Sequence, residues 1–343
     1  MRFKISIWMP LLVVFLSFTS CGEEDDEDLI GNWINCYQSD AKARSQAVSF
    51  TIGEYGYLAT GYYGTNKELV KDCWRFDPSN NQWSRIDSLP DGFTGRIDAV
   101  GFSANGKGYV CTGYYNLSPT AELKDLWEFD PASDTWTRKA DFPGTARYGA
   151  VAFSVNNKGY VLGGYDGTYY KDLYEYDPVT NVWTTKSSLP GNKRRYAMAF
   201  VINNIAYVFG GENNGTYLTD FFSYDASNDT WTTLRDIANT SDKSYDDDYK
   251  SIARKYGATF VINDLGYVAT GDYGSIVSEV WEYNPSKDLW TEKTEFEGTP
   301  RTSAVGFTIN GRGFIATGKS SSTYFDDVWE FKPFEDYVED DHI

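Results

Sequence analysis

Six arginines stand seventeen residues ahead of six glycines, and that fixed spacing constrains the chain more than anything in its composition. The pairs are Arg44 and Gly61, Arg96 and Gly113, Arg147 and Gly164, Arg194 and Gly211, Arg254 and Gly271, and Arg301 and Gly318. Six residues after each arginine comes a phenylalanine: Phe50, Phe102, Phe153, Phe200, Phe260 and Phe307. Thirteen after it comes an aromatic: Tyr57, Tyr109, Tyr160, Tyr207, Tyr267 and Phe314. No insertion interrupts any of the six spans, so one structural unit is used six times.

The second half of each copy is equally regular. An acid stands two residues before an aromatic: Asp72 and Trp74, Asp125 and Trp127, Asp172 and Tyr174, Asp220 and Phe222, Glu279 and Trp281, Asp327 and Trp329. A turn sequence follows (FDP, FDP, YDP, YDA, YNP, FKP), and in five copies a tryptophan: Trp83, Trp136, Trp183, Trp231 and Trp290. Pro presets φ and Asx side chains bond nearby amides, so these are turn signals. Period-2 alternation in segments such as LWEFD marks strands. Each copy therefore reads as four short strands, a to d. The sixth copy lacks its tryptophan, while Leu29-Ile30-Gly31-Asn32-Trp33 precedes the first arginine with Trp33 fifty residues before Trp83. The expected fold is all-β, a six-bladed propeller closed by an N-terminal strand that completes the last blade.

The Gly doublets that end strand b (Gly163-Gly164, Gly210-Gly211), the periods of about 47 to 60 residues and the aromatic offsets resemble kelch repeats, over residues 29 to 333. Four copies carry Thr-Gly instead, at Thr60, Thr112, Thr270 and Thr317. The resemblance implies that the arginines and the acids gather on one face, near the mouth of a central channel. Two readings of them stay open. One arginine and one acid per blade suit an intrablade salt bridge, since guanidinium grips carboxylate bidentately. In similar kelch adaptors and six-bladed sialic-acid mutarotases, top-face arginines contact acidic ligands. That implication makes Arg44, Arg96, Arg147, Arg194, Arg254 and Arg301 candidate ligand-binding residues. The variable b–c loops add tyrosines, of which Tyr63, Tyr115, Tyr165 and Tyr273 are the candidates, because Tyr offers a flat apolar face and a hydroxyl.

At the N-terminus, Arg2 and Lys4 precede a short apolar run and Phe18-Thr19-Ser20-Cys21. This pattern reads as a secretory signal over residues 1 to 20, too short for a membrane span. It resembles a bacterial lipobox, which makes Cys21 the expected lipidation site; ordinary cleavage near Ser20 is the alternative. Residues 21 to 28 form an acidic tether similar to those of surface-exported lipoproteins of Bacteroidota, and 334 to 343 an acidic tail. The expected setting is a lipoprotein of the outer membrane, at the cell surface or its periplasmic face.

A net charge of −18 excludes bulk electrostatic binding of nucleic acid. The lone His342 excludes copper radical chemistry of the kind that other kelch-type propellers perform with His ligands. Asp242 and Asp246-Asp247-Asp248 lack the spacing of an EF-hand and read as a solvated acidic segment. No metal, cofactor or catalytic residue is therefore expected. The expected partner is a glycan or an envelope protein held by the upper-face loops, with a mutarotase-like enzyme acting on an acidic sugar, or a non-catalytic scaffold, as alternatives.

Overall fold

The computed structural model describes residues 29–38, 41–64, 68–115, 121–238 and 252–338. The leader, Cys21, the acidic tether, Asp246–Asp248 and the end of the tail lie outside them. The described residues form six four-stranded antiparallel sheets. Blades 1 to 5 span residues 48–86, 100–139, 151–186, 198–233 and 258–293. Blade 6 takes strands a to c from 305–332 and its fourth strand from Asn32–Gln38. That strand runs antiparallel to Asp327–Lys332, with Trp33 opposite Phe331 and Asn35 opposite Trp329. The expected closure is what the chain does: its first strand is the outer edge of its last blade.

The repeat's spacing now has a physical cause. In each blade the phenylalanine of strand a lies directly across from the aromatic of strand b, with ring centroids 5.0–5.9 Å apart and near-parallel planes. The same phenylalanine also packs against the next blade. A Cβ at Gly108 of blade 2 would stand 2.1 Å from the Phe50 ring, so the residue before the strand-b aromatic is held small by its neighbour. Blade 4 carries Ala206 there, in one apolar cluster with Phe153. Burying each of these rings contributes roughly 2–3 kcal/mol. Strand-d tryptophans tie blades from outside, as where the Trp183 indole donates to the Ala140 carbonyl at 2.9 Å.

The blades are also joined by a ring of backbone hydrogen bonds on the upper side. The amide of the glycine that ends each strand b donates to the carbonyl of the next blade's arginine: Gly61 to Arg96, Gly113 to Arg147, Gly164 to Arg194, Gly211 to Arg254, Gly271 to Arg301. Gly318 to Arg44, at 2.8 Å, closes the circle. These glycines have φ of +79° to +110°, and a Cβ at Gly61 would meet the Ser45 carbonyl at 2.8 Å, so the position admits no side chain.

Cys36, Cys73 and Cys111 are free and buried. Burial pushes the Cys36 thiol up to about 11 and the other two higher still.

Candidate functional site at the channel mouth

The six arginines do not face the channel. All are 0–1% exposed. Each Nη1 donates to the carbonyl of the residue before the strand-b glycine, from Thr60 in blade 1 to Thr317 in blade 6. Each Nε donates to the carbonyl two residues upstream. Arg44–Asp72, Arg96–Asp125, Arg147–Asp172 and Arg194–Asp220 are salt bridges of 2.6–2.7 Å, and Arg301 pairs with Asp327 in the same way. Indole N–H groups of Trp74, Trp127 and Trp329 donate to the same carboxylates. Burial raises the Asp72 and Asp125 carboxyls, but the arginine contacts more than offset it and both lie below the usual range. The intrablade bridge is thus the arrangement found in five blades.

Blade 5 departs from the pattern. Arg254 donates to the backbone carbonyl of Glu279 at 2.9 Å, while Glu279 Oε2 is buried without a hydrogen-bond partner. Glu is one methylene longer than the Asp of the other blades, and no Arg254–Glu279 ion pair forms among the described residues. Full burial pushes Arg254 down to about 10.

The channel mouth is built instead by the residues two positions after each arginine: Gln46, Asp98, Gly149, Tyr196, Tyr256 and Ser303. All six have φ between +49° and +64°. The reversal that sends each arginine side chain into its blade turns the next-but-one residue toward the axis. Backbone bonds link four junctions of this inner circle: Gln46 to Ser303, Gly149 to Asp98, Tyr196 to Gly149, and Ser303 to Tyr256. The other two junctions are made by side chains. Gln46 Nε2 donates to Asp98 Oδ1 at 2.7 Å and the Tyr196 and Tyr256 rings stack at 4.2 Å. The circle encloses a cavity of about 150 Å³. Below it lies the channel, about 310 Å³, narrow-walled by Ala47, Ala99, Ala150, Ala197, Gly257 and Ala304.

Asp98 is the one acid in the circle. It makes no salt bridge among the described residues; Gln46 and, at 3.4 Å, the Tyr196 hydroxyl donate to it. Burial dominates over these bonds and over the more distant Arg195 and Lys319, and its carboxyl is pushed up to about 7. Burial, with Asp98 nearby, also raises the Tyr196 and Tyr256 hydroxyls.

A second tier surrounds the first. The residue after each arginine bridges to the residue after each strand-b glycine: Ser45 with Tyr62, Ile97 with Tyr114, Tyr148 with Tyr165, Arg195 with Glu212, Lys255 with Asp272, Thr302 with Lys319. Glu212 accepts from Arg195 at 2.5 Å and from Lys255 at 2.9 Å; burial alone would raise it, but the two cations hold it below its usual range. Lys319 donates to the Tyr62 hydroxyl at 2.9 Å and has no carboxylate within ion-pairing distance among the described residues. Tyr165 lies under the Arg195 guanidinium, 4.7 Å from ring centroid to Cζ, beside Tyr148.

Of the four tyrosines singled out in the sequence, Tyr165 alone belongs to this tier. Tyr63 is 42% exposed against Tyr324, Tyr273 is 46% exposed against Tyr217, and Tyr115 sits on the blade-2 loop. No contact joins the four among the described residues. The sequence reading missed Asp98, Gln46, Tyr196, Tyr256 and Lys319, although counting two residues past each arginine finds the whole inner circle.

Among the described residues, no cluster of His, Cys, Asp or Glu has the geometry of a metal site. The arrangement offers a carboxyl poised to gain or lose a proton near neutrality, hydroxyl donors, and cations at the rim.

Residues 141–309 match the KLHDC2/KLHL20/DRC7 Kelch-repeats domain. The solved structure titled "Structure of YjhT" superposes with a TM-score of 0.70 at 17% identity, covering 85% of this chain and 95% of that one. The fold is a six-bladed kelch-type β-propeller. Two curated relatives share stretches of this chain. One is an N-acetylneuraminate epimerase of Pasteurella multocida, 37% identical over 116 residues, which are 33% of this chain and 29% of that protein. The other is the human Kelch repeat and BTB domain-containing protein 13, 28% identical over 101 residues, 27% of this chain and 19% of that one. The chain thus matches less than a third of the length of either relative.

Proposed function

We propose that this kelch propeller, anchored to the outer membrane through a lipidated Cys21, binds a saccharide carrying a carboxylate at its channel mouth. The observation that carries the reading is the convergence of Asp98, Gln46, Tyr196 and Tyr256 on one small cavity with Lys319 and Arg195 at its rim. Lys319 has no acidic partner to compete with a ligand carboxylate, and the whole protein is strongly anionic, so affinity for an anion must come from such local cations. Gln46, Ser303 and the tyrosine hydroxyls supply the directional bonds that fix sugar hydroxyls, and Tyr165 with Tyr148 supplies ring faces. The cavity is small for a whole sugar, and the ligand's remainder occupies the open tier above.

The test is calorimetric titration of the soluble chain, from residue 22, with N-acetylneuraminate and with neutral hexoses. Saturable binding of the acidic sugar, weakened at least tenfold in Lys319→Ala, supports the reading. Equal binding of neutral sugars, or no binding by any, refutes it.

A second reading follows from Asp98 itself. General acid–base catalysis is most effective when the group's pKa lies near the working pH, and Asp98 stands there. Sugar ring opening needs a proton removed from the anomeric hydroxyl and one delivered to the ring oxygen, which Asp98 and Tyr196 are placed to share. Proton-exchange NMR of the anomers decides between binder and epimerase. Exchange above the buffer rate that disappears in Asp98→Asn favours the enzyme, and exchange at the buffer rate excludes it.

A further inference from the structure

A different place breaks the sixfold pattern in its charge. The third residue of strand c lies opposite the strand-b aromatic, and four blades carry glutamate there. Glu128 accepts from the Tyr109 hydroxyl at 2.7 Å and is flanked by Lys107 and Lys139 at 3.0 and 3.4 Å. Glu175 repeats this with Tyr160, Lys158 and Lys186. Glu282 pairs with Tyr267 and Lys293, and Glu330 with Arg312 and Lys332. Blade 4 is neutral, with Ser223 opposite Tyr207.

Blade 1 inverts the charge. Arg75 takes the glutamate's place opposite Tyr57, Tyr55 takes the place of Lys107, and Ile86 that of Lys139. All three members of the cation–carboxylate–cation cluster have changed together. The Arg75 guanidinium lies 4.6 Å over the Tyr55 ring, and its Nε is buried with no hydrogen-bond partner. Beside it, between blades 1 and 2, is a cavity of about 220 Å³ lined by Tyr57, Arg75, Ser84, Arg85, Phe129 and Asp134. Arg85 is exposed and touches Ser88, and Asp134 Oδ1 is engaged by the Asp87 amide. No carboxylate lies within ion-pairing distance of Arg75 or Arg85 among the described residues.

We propose that this seam between blades 1 and 2 is a second binding site, one that takes a small oxyanion: a sulfate, phosphate or carboxylate group. Two guanidinium groups against one aspartate make the cavity lining itself net positive, with Asp77 and Asp72 acting on Arg75 and Arg85 from outside it, and a buried Nε–H without an acceptor costs free energy that an entering oxygen recovers. Ser84 and the Tyr57 hydroxyl provide neutral donors. The volume falls below that of sites for whole drug-sized ligands, so it suits an anionic group rather than a large molecule.

The experiment follows the arginine Nε–Hε resonances of the ¹⁵N-labelled protein, that of Arg75 being assigned by its loss in Arg75→Lys. Sodium sulfate, phosphate and acetate are added separately at constant ionic strength, with chloride as reference. A saturable shift of Arg75 with at least one oxyanion, weakened at least tenfold in Arg85→Ala, supports the site. Arg85 is exposed, so this variant folds. The double variant Tyr55→Lys/Arg75→Glu rebuilds the neighbouring blades' cluster and is expected to fold while losing the anion's protection against heat. A parallel titration with N-acetylglucosamine 6-sulfate separates the sources: tighter than sulfate assigns a pendant ester, equal or weaker a free ion. Linear shifts equal to those of chloride, or saturation indifferent to Arg85→Ala, overturn the proposal.

Discussion

Replacing Asp98 by asparagine should change how the stability of the propeller depends on pH. An acid whose folded-state value is raised holds its proton in the native state after the unfolded chain has released it. Its contribution is therefore fully present below pH 3.8 and is lost as pH rises to about 7. The interval is close to three pH units at 1.36 kcal/mol each, or about 4 kcal/mol. Asp98 opens on the channel cavity, where water screens the charge, so about 2–4 kcal/mol is the working range. The amide of the Asp98→Asn variant keeps an oxygen for Gln46 and carries no titration. Arg195, Lys319, Tyr196 and Tyr256 face the site in both proteins and cancel in the comparison. Chemical denaturation of both proteins from pH 4 to pH 8 measures the effect. The Asp98→Asn variant is expected to gain about 2–4 kcal/mol on wild type between those limits, with the change complete just above neutrality. Curves that stay parallel within about 0.5 kcal/mol would mean that Asp98 ionises in the ordinary carboxylate range, and the acid–base reading of the mouth would go with it.

Thr112 has φ of +59° and a buried hydroxyl without a partner, where blades 3 and 4 carry glycine; Thr112→Gly should stabilise by about 1 kcal/mol, and a lower melting temperature would contradict the strain argument. Gly108→Ala forces Phe50 aside and should cost about 1–3 kcal/mol, measured by denaturant midpoint. Glu279→Asp brings a carboxylate within reach of Arg254, as in the other five blades, and should raise the melting temperature with a gain of about 1 kcal/mol; no gain would show that the extra methylene is not what breaks the pair. Trp33 is fully buried in the closing strand, so Trp33→Ala should cost about 3–5 kcal/mol by the same assay.

The architecture was legible because each blade repeats one packing problem. A stacked Phe–Tyr pair, a neighbour that must be small and a glycine that must be bare leave fixed spacings in the chain. Closure was legible too, since the missing tryptophan of the sixth copy has its counterpart in Trp33. The site was less so. The arginines were the most regular polar residues, and regularity is what a structural role produces: a group that binds a carbonyl in every blade and a carboxylate in five is not free to bind anything else. The candidate sites sit where the copies disagree. Gln46, Asp98, Gly149, Tyr196, Tyr256 and Ser303 share a backbone conformation and little chemistry, and Arg75 stands among glutamates. Neither carries a motif. Both stand out once the copies are set side by side and each column is asked which member breaks the rule of the rest.

The closing strand has a consequence for how such a chain is made. Asn32 leaves the ribosome before any blade exists, and its partner Lys332 follows three hundred residues later. Through that interval the strand has an unpaired edge, and blade 6 cannot form. Contacts of such long range make for slow completion and leave sticky intermediates. That strand therefore stays without its partner until Asp327–Lys332 has emerged, and anything that escorts the nascent chain would have to shield it until then.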